Sequence, residues 1–160
     1  MNPTDPPFNP YQTAALKRLR LRWGGALILN APLPFVALPI TGSEWITQAP
    51  DDAATSAMVT AVVLGGAAVA GGLFARNQIY KANWQGEAVT PAGYLKANTL
   101  FFIAVSVGAL ALFVLSILNR YPAPTFAAAP ILIGLLALNF PNGKPMRPAP
   151  PRIDHDGGLP

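Results

Sequence analysis

At 160 residues, with 52% apolar and 11% charged side chains and a mean hydropathy of +0.37, the chain lies far from the roughly 25% charge of a soluble domain. No separate soluble domain fits beside its apolar segments. The absence of cysteine excludes disulfides, thiolate-bound zinc, iron–sulfur clusters and thiol nucleophiles. The net charge of +4 does not point to nucleic acid, because the charges are scattered along segment borders rather than gathered on one soluble face.

Residues 1–12 carry four prolines and no periodic apolar pattern, which predicts a flexible N-terminal tail. From Thr13 the composition turns helix-forming and leads into the first of four apolar stretches, at about 21–43, 54–75, 97–118 and 123–140. Each is about long enough to cross a ~30 Å hydrocarbon layer at 1.5 Å per helical residue. Apart from Arg22 at the entry to the first, no Asp, Glu, Lys, Arg or His falls inside their cores. The fold class predicted is all-α, an integral membrane protein with four transmembrane helices in a bundle over 13–140. A flexible Pro-rich tail follows over 141–160.

Charge placement predicts the topology. Lys17, Arg18, Arg20 and Arg22 precede the first stretch, Arg76, Lys81 and Lys96 lie between the second and third, and Lys144, Arg147 and Arg152 follow the fourth. The first and second stretches are separated only by Glu44, Asp51 and Asp52 among charged residues, and the third and fourth only by Arg120. By the positive-inside rule the N-terminus, the middle loop and the C-terminus are cytoplasmic. A signal peptide is disfavoured: Pro32, Pro34 and Pro39 interrupt the first run, and Pro50 directly follows the small-x-small triplet Thr47–Ala49.

Trp23 and Trp45 bracket the first stretch as interfacial anchors. Within it, Asn30, Pro32 and Pro34 predict a kink or unwound turn near 28–34. Broken helices mark binding sites in transporters, whereas a bend whose freed groups are satisfied by neighbours only shapes the bundle. The second stretch carries Gly65, Gly66, Ala70, Gly71 and Gly72, small residues that let another helix approach closely. It lacks the Lys-Ser or Lys-Thr of a phosphate loop.

Beyond Gly72 the apolar stripe of Phe74, Ile79, Tyr80 and Trp84 predicts a helix running on to Gly86. Thr90-Pro91 reads as an N-cap and first turn of the third helix. Arg76, Tyr80, Lys81, Trp84, Tyr94 and Lys96 form a basic and aromatic collar, suited to anionic lipid headgroups or to a partner protein. Asn98, Ser106 and Ser116 are polar groups of the third stretch that can hydrogen-bond within the bundle. Pro130 predicts a bent or shortened fourth helix. The Asp154-His155-Asp156 triplet reads as exposed surface.

Gln78–Gly86, Val89–Tyr94 and Asn139–Met146 resemble segments of a group of small four-helix bacterial membrane proteins, which implies a multi-pass protein of the bacterial cytoplasmic membrane and supplies no activity. More distantly, the glycine-rich stretch leading to Ala75-Arg76-Asn77 is similar to the hairpin of the proteolipid c subunit of rotary ATPases. That family carries its ion on a membrane-embedded carboxylate. Ala104–Ala109 has none here, and no proline follows Arg76-Asn77, so the likeness implies no ion carrying.

These readings predict a non-catalytic structural or accessory subunit of a larger membrane assembly, with lipid and other membrane subunits as partners. No cofactor, metal ligand or catalytic residue is expected. The alternative is a small channel or transporter working from Asn30, Asn98, Ser106 and backbone carbonyls, without an intramembrane carboxylate.

Overall fold

A computed structural model describes residues 7–41 and 52–148. Trp45, the Glu44–Asp51 loop and the Asp154–Asp156 triplet lie outside the described residues. Helix α1 spans Pro10–Asn30, starting three residues before Thr13. Asn9 explains the earlier start: its side chain accepts from the Gln12 amide while the Gln12 side chain accepts from the Asn9 amide, both at 2.9 Å, and Pro10 supplies a preset first turn.

The chain then breaks at Ala31–Pro32 and resumes as α2, Leu33–Thr41. Pro32 and Pro34 lack the N–H groups that would bond to the carbonyls of Ile28 and Asn30, which removes two of three successive helical hydrogen bonds at the break. Helix α3 runs over Asp52–Ala82, α4 over Pro91–Leu118 and α5 over Ala123–Leu138 with Pro130 inside it. A 3-10 turn at Lys144–Met146 closes the described chain.

The sequence expectation that α3 continues through Trp84 is not met. Asn83 turns its side chain back to the Ile79 carbonyl at 2.9 Å, and the chain leaves the helix into two short strands, β1 (Trp84–Gln85) and β2 (Ala88–Val89). They pair antiparallel, Trp84 opposite Val89 and Gln85 opposite Ala88, around a Gly86-Glu87 turn in which Gly86 takes φ +60°, a value glycine adopts without a Cβ clash. Thr90 then caps α4 by accepting from the Gly93 amide at 3.1 Å.

Contacts order the helices. Arg22 meets Thr99 and Asn30 meets Ser106, so α1 and α4 run parallel. Tyr80 meets Asn98 while Gly65 meets Gly108, so α3 is antiparallel to α4. Ser116 meets Thr125 and Trp23 meets Leu136, which sets α5 antiparallel to α4 and α1. Helix α4 is the hub, burying Phe101, Phe102, Val105, Ala109 and Leu112 against the other helices.

Pro10–Thr41, Met58–Ala82 and Pro91–Leu118 are long and apolar enough to cross a membrane, and Ala123–Leu138 is a shorter apolar helix. Their outer faces expose Ile28, Phe35, Val63, Phe74, Val107 and Ile131. Apolar surface spread around the whole barrel of helices is unusual for a protein surrounded by water and compatible with a multi-pass membrane protein.

Candidate functional site

The residues of the sequence-predicted collar divide into two sets. Arg76, Tyr80 and Tyr94 turn inwards at one end of the bundle, whereas Lys81, Trp84 and Lys96 are exposed. The inward set is built by the antiparallel meeting of α3 and α4. Tyr80 and Tyr94 stack with ring centroids 6.1 Å apart. The buried Asn98 amide donates to the Tyr80 hydroxyl at 2.6 Å and to the Tyr94 carbonyl at 2.8 Å.

Arg76 donates through Nη1 to Oδ1 of Asn139, just past α5, and its guanidinium lies 4.9 Å from the Phe101 ring centroid. Its Nε is buried with no partner. Beside this knot, Trp23 donates to the Leu136 carbonyl at 2.8 Å and packs edge-on to Phe140 at 5.0 Å. The Arg20 guanidinium lies over the Phe140 ring, 5.4 Å from its centroid. The same end is therefore closed by polar side chains satisfied mainly by carbonyls, amides and rings, with no carboxylate in the knot among the described residues.

Residues 141–148 belong to this end rather than to a separate tail. Pro141, Gly143 and Met146 are buried. The Gly143 amide donates to the Tyr94 hydroxyl at 3.2 Å, and the Gln12 side chain donates to the Met146 carbonyl at 2.7 Å. Gly143 sits at φ +76°, and a Cβ there would stand 2.6 Å from the Phe8 ring. Asn139, Gln12 and the 141–148 segment were not singled out as site residues from the sequence; the Asn-Gly turn pair at 142–143, between Pro141 and Pro145, was the available signal.

The small-residue face also resolves into two. Gly65 and Gly72 are buried against α4, where a Cβ on Gly72 would come 2.6 Å from that of Ala104. Gly66, Ala70 and Gly71 are exposed on the outer side, and nothing lies within 4 Å of a Cβ added at Gly66 or Gly71.

At mid-bundle, Asn30 is 4% exposed. Its amide donates to the Ala26 carbonyl at 2.6 Å and to Ser106 Oγ at 2.9 Å, while its Oδ1 is buried without a partner. A cavity of about 10 Å³ adjoins it, lined by Leu33, Pro34, Leu112 and Thr125 among others, which is room for about one water molecule. Ser116 and Thr125 share a hydrogen bond of 2.7 Å between α4 and α5.

Among the described residues, no three His, Cys, Asp or Glu side chains gather into a group that could hold a metal ion. The described carboxylates, Asp52 and Glu87, are both exposed. What this arrangement does chemically is bind helix to helix and expose cations at one end. Compared with known proteins, the chain matches no protein-family model, no curated protein and no solved structure.

Proposed function

We propose that the chain is a non-catalytic membrane protein of four spans, with α5 as the fourth, acting as a structural or accessory subunit of a larger assembly in the bacterial cytoplasmic membrane. Both termini and the Arg76–Lys96 loop lie on the cytoplasmic side in this reading. The observation that carries it is the outer strip of α3. Only 17% of that helix's most apolar window is buried, against 39% for α4, and the uncovered part holds Gly66, Ala67, Ala70 and Gly71. In lipid, where apolar surface gains little by leaving acyl chains, close backbone approach along such a strip is a main source of helix association.

Extraction from the source cell in mild detergent, followed by native gel analysis, tests the reading. A complex larger than the 16.8 kDa chain, lost in Gly66→Leu and Gly71→Leu, is expected. A monomer in every mild detergent would overturn it. Reporter fusions at residues 50, 88 and 158 test the topology, and an external signal from 88 would reverse it.

A second reading, a small channel or transporter, is favoured by the unpartnered Asn30 Oδ1 at the break between α1 and α2. Flux across liposomes by the parent chain, abolished in Asn30→Leu, would support it. Absence of flux in the parent would remove it.

A further inference from the structure

A groove of about 390 Å³ runs down the outside of the bundle between the parallel helices α1 and α4. At its mouth Arg22 reaches across to donate to Thr99 Oγ1 at 2.7 Å, joining the two helices while leaving most of its five N–H donors available. Below the mouth the lining is apolar except for Ser106, which accepts from Asn30, with Leu29, Phe102, Ile103 and Leu110 along the walls. The floor drops at Gly25, where nothing lies within 4 Å of an added Cβ.

We propose that this groove binds one anionic phospholipid, its phosphate on Arg22 and one acyl chain lying between α1 and α4. Length supports the fit: from Thr99 to Leu110 the groove runs about 16 Å at 1.5 Å per residue, close to one leaflet of a ~30 Å hydrocarbon core. A transmembrane helix would need a trough continuing through the other leaflet. Charge supports the sign of the headgroup. Lys17, Arg18, Arg20, Arg76, Lys81 and Lys96 share the end at which Arg22 sits, and the one described carboxylate there is Glu87, so that end attracts anionic lipid.

The proposal rests on the chain being embedded in a membrane, which resistance of the native membranes to alkaline extraction tests separately. It needs no partner protein. The site itself is tested on the purified full chain by native mass spectrometry and thermal unfolding in detergent, with phosphatidylglycerol or phosphatidylcholine of identical acyl chains added. One tightly retained phosphatidylglycerol, and a larger rise in melting temperature than phosphatidylcholine gives, are expected. Arg22→Gln should weaken phosphatidylglycerol binding about fivefold, Arg22→Lys should retain most of it, and Lys17→Gln, outside the groove, should weaken it less than Arg22→Gln does. Gly25→Leu fills the groove without an internal clash, so it should weaken both lipids while the lipid-free melting temperature stays at the parent value. Equal binding of the two lipids would overturn the proposal. So would equal losses in Arg22→Gln and Lys17→Gln, unchanged binding in Gly25→Leu, or a full shift produced by glycerol phosphate without acyl chains.

Discussion

The carbonyl oxygen of Gly65 lies 3.4 Å from where a Cβ on Gly108 would stand, so α3 and α4 touch backbone to backbone in the middle of the bundle. A Cβ at Gly108 would already be in van der Waals contact with Gly65 and Ala68, so a larger side chain there must push the helices apart or bend a neighbour. Gly72→Leu and Gly108→Val are each expected to cost about 1–3 kcal/mol through overpacking, measured by thermal unfolding in detergent. Gly66→Leu, on the open side, should fall within about 0.5 kcal/mol of the parent. Equal damage from Gly66→Leu and Gly72→Leu would show that the contact face is assigned to the wrong side of α3.

The link from Arg76 to Asn139 ties α3 to the end of α5. A double-mutant cycle with Arg76→Leu and Asn139→Leu should give a coupling of about 1.5–3 kcal/mol, the range for a hydrogen bond to a charged group. Simple additivity of the two losses would mean that the pair contributes nothing jointly.

Ser116 and Thr125 are 2% and 5% exposed and bond to one another, so removing one hydroxyl strands the other. Ser116→Ala should destabilise by about 1–3 kcal/mol, and adding Thr125→Val should recover part of that loss. If the double variant is less stable than Ser116→Ala alone, the hydroxyl pair is not what the single change disrupts.

Trp23→Phe keeps a ring against Phe140 but deletes the indole N–H that reaches the Leu136 carbonyl. A loss of about 0.5–1.5 kcal/mol is expected on thermal unfolding, with Trp23→Ala costing more because the edge-on aromatic contact goes as well. Indistinguishable stabilities for Phe and Ala would place the whole contribution in the hydrogen bond.

The long apolar helices were legible because lipid-scale length and absence of charge are local properties of the chain. The Thr90-Pro91 helix start and the break after Asn30 were legible for the same reason, since cap chemistry and proline act on the adjacent turn. The phase of the glycine face was not, because paired glycines at 65–66 and 71–72 put small residues on both sides of α3. The side that packs is decided by Ala104 and Gly108 of α4, which lie in another segment. Trp84 fits a helical stripe by spacing, yet the chain leaves the helix at Asn83 and turns at Gly86 so that the Thr90 amide, seven residues on, donates to the Asn83 carbonyl. Tyr94 reads as a border aromatic, and its burial follows from the 141–148 segment folding over it, a contact with no trace in the local pattern.

The bond from Gln12 to Met146 joins residues 134 positions apart. On a ribosome, the contacts of α3 with α4 arise between neighbours in sequence and can form as soon as both have emerged, whereas the bond that holds the start of α1 cannot form until residue 146 has been made. A chain stalled short of residue 146 therefore has its central hairpin but not its clasp, and leaves Phe8, Tyr94 and the buried lining of the 141–148 segment uncovered. A chain without this clasp therefore differs from the folded one in the surface it presents at that end of the bundle.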